Sequence, residues 1–344
     1  MSSLNLDFEA LEREVKKQKM KRSTFTRLGK DWAIELHATH KNYIQYFETS
    51  IMQKIMHLPH HKAAKNTIQI YMVDIAKDSE IFSDNHTISY GTMPMSTNAN
   101  KSHLVLKSPW FRIFVKRRRG ETTVLALIRE GKISRATFGK YFQLLSRKIL
   151  FALGIHIFHA AALRLGNKTI LFDGESGAGK STTTLSLAKS GAQIISEDHT
   201  LIRREKGIFF ASGYEELSRV TSKTEKHIFG EALPYPRKKI GKYFKKEFPL
   251  RRAFDCVFFK EFRIDFIFFL QEAKQFQIRE LSKKEATLHL VKMTKPFFTF
   301  SEPNLYDDYM NYMCALTKQV RCFNLERDNN LKNLDTLIDF LRKV

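Results

Sequence analysis

Three glycines stand within six residues at Gly174-Glu175-Ser176-Gly177-Ala178-Gly179, and Lys180-Ser181 follow at once. Glycine this dense weakens a helix or a strand, since each residue loses backbone entropy and packs no side chain, yet it permits the left-handed turns closed to other residues. The segment is therefore a tight loop. Before it, Thr169 to Phe172 reads as a strand running into Asp173-Gly174, after a turn at Gly166-Asn167-Lys168. After it, Lys180 to Lys189 reads as a helix closed at Gly191, and Ala192 to Ile195 as a short strand delivering Ser196-Glu197-Asp198. Strand, loop, helix and strand in that order commit this part of the chain to an α/β arrangement.

The loop satisfies G-x-x-x-x-G-K-[ST] at every defined position. By composition alone such a match arises in about one chain in a hundred of this length, and the strand-to-helix framing makes an ornamental turn the poorer reading. Backbone N–H groups between Gly174 and Thr182, among them those of Glu175, Ser176, Gly177, Ala178 and Gly179, form a cup for phosphate oxygens at a helix N-terminus. Lys180 then contacts the β and γ phosphates of a nucleoside triphosphate, and the Ser181 hydroxyl holds Mg2+. Glu197-Asp198, one helix later, supplies a second metal-binding carboxylate and a proton acceptor for an attacking hydroxyl. His159 and His156 lie on the preceding apolar run, Ile155 to Leu165, read as one strand; their spacing of three places them on opposite faces, which argues against joint metal ligation.

Around this region the strands Gly207–Ala211, Ile264–Leu270, Phe276–Leu281 and Arg321–Leu325, and the helices Asn304–Val320 and Leu331–Leu341, continue the α/β pattern. Upstream, Leu6–Lys19 reads as an amphipathic helix, Thr67–Val73 as a strand, and Trp32–Ile51 as either. Asp78–Lys101 is polar, as a loop would be. Trp110–Val115 and Thr122–Ile128 flank the basic tip Lys116 to Glu121 of a hairpin. A helix over Lys140–Leu153 marks the junction between an N-terminal α+β domain, residues 1–145, and a nucleotide-binding domain, residues 146–344.

The chain carries 58 Lys and Arg against 36 Asp and Glu, a formal +22, which favours anionic partners without choosing among them. Its three cysteines lack paired spacing, and no apolar window has the length of a membrane span, so a cytoplasmic setting is expected. The basic run Pro234 to Lys246 reads as a flap over phosphate, with Arg237 and Lys242 as cations, and Arg219 as a further phosphate contact. His57, His60 and His61 have no acidic or cysteine neighbours at ligand spacing and read as a loop.

His159 with the small residues after it, the Gly-x-Ser-Gly-x-Gly-Lys-Ser loop and the acidic pair together resemble the C-terminal kinase domain of HPr kinase/phosphorylase and its relatives. Their nucleotide site is similar to that of phosphoenolpyruvate carboxykinase. The match runs from about His156 to Ile202. It implies a P-loop domain with a mixed sheet, and transfer of the γ-phosphate of ATP or GTP, with Mg2+, to a hydroxyl, usually serine, of a protein, peptide or small molecule. Relatives of the looser kind act in peptide modification, including lasso peptide phosphorylation, and some form oligomers. Carried over by position, Glu197 is the base, Asp198 a metal-binding or orienting carboxylate, and His159 a neighbour of the transferred phosphate. Two positions depart from the pattern: Glu197 stands where the protein kinase has aspartate, and Thr182-Thr183-Thr184 follows the loop where that kinase has glutamate, closer to the carboxykinase form. The glycine-rich segment used on HPr has no counterpart, so HPr is not the expected acceptor. The alternatives are a non-catalytic nucleotide sensor or scaffold, and a basic NTPase associated with nucleic acid, for which no aromatic platform or helix-turn-helix pattern speaks.

Overall fold

Every residue from Thr122 to Ile128 is buried, and a strand that hides both faces instead of alternating sits mid-sheet. The computed structural model describes residues 8–28, 32–48, 66–76, 88–90, 93–100, 103–107, 111–118, 121–129, 150, 155–175, 177–213, 217–240, 243–294, 303–327 and 333–343. The chain divides into two units, Met1–Ile149 with Thr299–Asn304, and Leu150–Phe298 with Leu305–Val344.

The first unit holds helices α1 (Phe8–Lys17) and α2 (Lys41–Glu48). Its strands are β1 (Lys21–Leu28), β2 (Trp32–Ala38), β3 (Asn66–Ile75), β4 (Ile88–Tyr90), β5 (Met93–Asn100), β6 (His103–Lys107), β7 (Phe111–Arg118) and β8 (Glu121–Arg129). They form one mixed sheet in the order β1-β2-β3-β8-β7-β6-β5-β4, parallel at β2/β3 and β3/β8. Tyr71, Val73, Phe114, Leu125 and Leu127 meet Val15 of α1 in a buried cluster, which is why the apolar stripe of that helix exists. The stretch that reads ambiguously from Trp32 is a strand followed by a helix. The polar stretch 78–101, expected as loop, contains β4 and β5: near a sheet edge the main-chain ladder alone suffices, so polar residues pair there without an apolar signature. The hairpin of β7 and β8 is present; its tip at 119–120, the histidines at 57–61 and, apart from the helical Leu150, the helix expected over Lys140–Leu153 lie outside the described residues.

In the second unit the strands are β9 (Ile155–Phe158), β10 (Ala161–Leu165), β11 (Lys168–Gly174), β12 (Gln193–Ser196), β13 (Thr200–Glu205), β14 (Ile208–Ser212) and β15 (Leu217–Val220). There follow β16 (Arg237–Ile240), β17 (Tyr243–Pro249), β18 (Phe262–Arg263), β19 (Phe266–Glu272), β20 (Gln277–Glu280) and β21 (Arg321–Arg327). The helices are α3 (Lys180–Lys189), α4 (Ser222–Phe229), α5 (Lys283–Thr294), α6 (Pro303–Gln319) and α7 (Leu334–Lys343). Six strands in the order β12-β10-β11-β19-β21-β20 make the main sheet, with β11, β19 and β21 parallel at its centre. Phe172, Phe268 and Phe323 on one face pack with Leu185 and Leu187 of α3 and with Leu337, Ile338 and Leu341 of α7. The protein is thus a mixed α/β molecule rich in strands.

The run Ile155–Leu165, expected as one strand, is two. β9 pairs with β13 in a four-stranded sheet, whereas β10 pairs with β11 and β12 in the main one. The chain changes sheets at His159-Ala160, and the strands β12 and β13 make the same change at Glu197-Asp198-His199. Ala160, Ala161 and Ala162, all fully buried, leave room for the crossing. It is pinned by Thr200, whose hydroxyl donates to the Ala160 carbonyl at 2.7 Å. Nearby, a Cβ on Gly213 would stand 1.8 Å from the Ile195 carbonyl oxygen, so only glycine fits.

Candidate active site

The loop leaves the C-terminal end of β11 and enters α3, the place where open α/β sheets put their ligand sites. Gly177 and Gly179 have φ of +95° and +91°, the left-handed conformation that the sequence reserves for glycine. Gly179 caps α3 with no side-chain acceptor for the first N–H groups, which leaves them directed outward at the positive end of the helix dipole. Lys180 is buried and its Nζ donates to the Gly174 carbonyl at 2.5 Å and to that of Glu175 at 3.3 Å, folding the side chain back over the loop. Burial lowers its pKa, against the opposing charges of Asp173, Asp198 and Glu197.

A cleft of about 380 Å³ opens over this helix start. Gly177, Gly179, Lys180, Ser181 and Thr182 line one side, and His159, Glu197 and Asp198 another. The two sheet crossings bring the last three together: His159 Nε2 donates to Asp198 Oδ1 at 2.8 Å, and His199 Nδ1 lies 3.4 Å from Asp198 Oδ2. Burial pushes the Asp198 carboxyl up, but the His159 hydrogen bond and the charges of His199, His159 and Arg219 outweigh it and hold the group well below the usual carboxylate range. Glu197 is the opposite case. Burial raises it to about 7, with the charge of Asp198 adding to that and the Ser181 hydrogen bond, Lys245 and Arg219 only partly opposing it. Two adjacent carboxyl groups are therefore driven in opposite directions, Asp198 towards the ionised form and Glu197 towards exchanging a proton near neutral pH. The sequence pairs Ser181 with Asp198 as metal ligands; both line the cleft, and the carboxylate bonded to Ser181 is Glu197.

Three further elements bring cations. Arg219 on β15 is held by Glu247 at 2.8 Å, and Lys245 with Tyr243 comes from β17. Arg327, the last residue of β21, donates to Thr183 Oγ1 at 2.8 Å beside the loop. A Cβ on Gly179 would meet its guanidinium at 2.6 Å. Nothing near Arg327 in sequence advertises it; a cation at the C-terminal end of a central parallel strand is the signal that would have found it. The basic run expected as a flap is the β16–β17 hairpin of a three-stranded sheet. In it Arg237 pairs with the buried Glu225, while Lys242 lies outside the described residues. Thr182 bonds Thr224 at 3.0 Å. Glu175 and Ala178 face a second cavity instead of the cleft, Gly174 ends β11, and Ser176 is outside the described residues. His156 is buried against Tyr312, ring centroids 3.5 Å apart, and burial lowers it to about 3, so it serves the core.

Ser181, Glu197 and Asp198 offer hard oxygen donors of the kind Mg2+ takes, together with phosphate oxygens and water. No group of three His, Cys, Asp or Glu able to hold a metal occurs among the described residues, and no helix among them is long and apolar enough to cross a membrane.

No family model matches the chain, and no curated protein matches it. Among solved structures it is similar to the HPr(Ser) kinase/phosphatase from Coxiella burnetii, with 14% identity over 55% of this chain and 94% of that one and a TM-score of 0.29.

Proposed function

We propose that this protein binds a nucleoside triphosphate with Mg2+ on the loop Gly174–Ser181, a P-loop, and transfers its γ-phosphate to a hydroxyl of a protein, peptide or small molecule. The observation that carries the reading is the convergence, in one cleft, of a helix start, the cations Lys180, Arg219, Lys245 and Arg327, and the carboxyl groups of Glu197 and Asp198. The acids repel bare phosphate and instead suit a metal-bound triphosphate and the proton of an acceptor hydroxyl.

In the reaction the acceptor oxygen forms a bond to the γ-phosphorus as the bond to the leaving β-phosphate oxygen breaks, and Glu197 takes the acceptor proton. A base with a pKa near the working pH contributes about 10²–10⁴-fold. Lys180 and Arg327 hold the phosphate oxygens from the loop side, and Arg219 and Lys245 face them across the cleft. Their charges are fixed before the reaction begins, so no reorganisation is needed as charge moves to the leaving group. Asp198, kept ionised by His159, orients the site. Ser181 and Asp198 would hold Mg2+, whose charge would offset that of the triphosphate.

Calorimetry with magnesium and ATP or GTP, followed by transfer of labelled γ-phosphate into a lysate of the source cells, tests this. Lys180→Ala should weaken triphosphate binding about 10- to 100-fold, the worth of a charge-assisted hydrogen bond, and abolish transfer while thermal unfolding stays close to wild type. Unchanged affinity in that variant would sink the proposal. Tight binding with no transfer, unaltered by Glu197→Gln, would replace it with a nucleotide sensor.

A further inference from the structure

A second cavity, of about 450 Å³, lies on the other rim of the loop. Gly177 and Tyr243 line both spaces, with the Tyr243 hydroxyl over the loop, 3.7 Å from where a Cβ on Gly177 would be. The walls of the second space differ from those of the cleft. Phe269 and Leu270 come from β19, His289 and Met293 from α5, and Asn324 from β21. Phe269 and His289 form an aromatic pair, ring centroids 5.0 Å apart.

Asn324 stands out. Its neighbours Phe323 and Leu325 point into the core on the α3 face, so Asn324 faces the opposite side, in register beside Phe269. Only 7% of it is exposed. Its Nδ2 donates to Glu326 at 3.0 Å, and since a carboxylate can only accept, that bond fixes which way the amide is turned. The amide oxygen, Oδ1, is buried and has no hydrogen-bond partner among the described residues. Leaving such an acceptor bare is costly, and an N–H from a ligand removes the cost.

A triphosphate seated on the loop reaches the acids and cations through one rim, where the acceptor must also approach. Its nucleoside then extends past the other rim. We infer that the second cavity holds the purine base of the nucleotide, and that Asn324 Oδ1 reads the exocyclic amino group of that base. The planar ring lies against His289 and Met293, with the buried Phe269 behind His289, surfaces that accept any purine face. The amino group supplies the selectivity, because a base without it leaves Oδ1 unsatisfied. This assignment rests on the phosphate site proposed above.

The test compares binding of the magnesium salts of ATP, GTP, ITP and tripolyphosphate to the full chain. Wild type should bind ATP or GTP about 10- to 100-fold more tightly than ITP, which lacks an amino group on its base, the worth of one buried hydrogen bond. Asn324→Leu should bring the nucleotides within about threefold of one another while tripolyphosphate binds as before, which also reports an intact fold. The wild-type comparison needs no variant. Equal affinity of wild type for all three nucleotides, or a preference that survives in Asn324→Leu, overturns the base assignment alone. Failure of tripolyphosphate and every nucleotide to bind wild type overturns the phosphate site with it.

Discussion

Replacing Glu197 with glutamine should make the protein more stable at pH 8 and leave it nearly unchanged at pH 5. In the folded chain burial raises this carboxyl from its ordinary 4.5 to about 7. A raised acid means that the folded state holds the proton longer than the unfolded state, so stability falls as pH rises from about 4.5 to about 7 and stays low above that. The rise from 4.5 to about 7 corresponds to about 3 kcal/mol. Glutamine carries no charge in either state and removes that cost while still able to bond Ser181. For a domain of roughly 150–250 residues, 3 kcal/mol is about 6–12 °C in Tm. Urea unfolding of both proteins across pH 4.5–8 gives the difference directly. It should be about 3 kcal/mol at pH 8, below about 1 kcal/mol at pH 5, and small at pH 4.5. A pH-independent difference, or a variant less stable at pH 8, would show that folding does not raise the Glu197 carboxyl and would remove it as the base. Asp173, raised by burial to about 6, pushes wild type in the same direction.

The other expectations follow from single contacts. Gly213→Ala should destabilise the second unit by more than about 3 kcal/mol, because the new Cβ meets a backbone oxygen that cannot swing aside; wild-type thermal unfolding would refute this. His159→Ala should raise the Asp198 pKa, as the hydrogen bond that lowers it most is lost, and cut transfer more than nucleotide binding; equal kcat would argue against an orienting role. Arg327→Ala should weaken triphosphate binding about 10- to 100-fold, read by calorimetry, whereas Arg237→Ala, which breaks a pair with Glu225, should alter stability more than affinity. Transfer should rise with pH through about 7 in wild type, as Glu197 loses its proton, and Glu197→Gln should flatten that limb in the rate profile.

The fold and the cleft were legible to different depths. The helix expected over Lys180–Lys189 has those same bounds, and the strand before it extends by a residue or two from Thr169–Phe172 to Lys168–Gly174. Glycine, lysine and serine in eight contiguous positions specify that geometry locally, since backbone freedom and helix capping act over a few residues. Strands held at sheet edges by main-chain bonds, such as β5, carried no apolar pattern to read. The single strand expected at Ile155–Leu165 conceals a crossing because three small apolar residues look alike inside a strand and at a corner.

What sequence determined by itself is the loop, the helix that leaves it and the types of group one helix later. Only the tertiary structure decided which groups meet. His159 reaches Asp198 because two strands change sheets at the same place. Arg327 reaches the loop because β11, β19 and β21 lie parallel side by side and β21 runs two residues past the level of Gly174, where β11 ends. Residue pattern encodes which face of a strand is buried; the order of strands depends on connections and packing between segments far apart in the chain, and it is this order that sets the distances in the cleft.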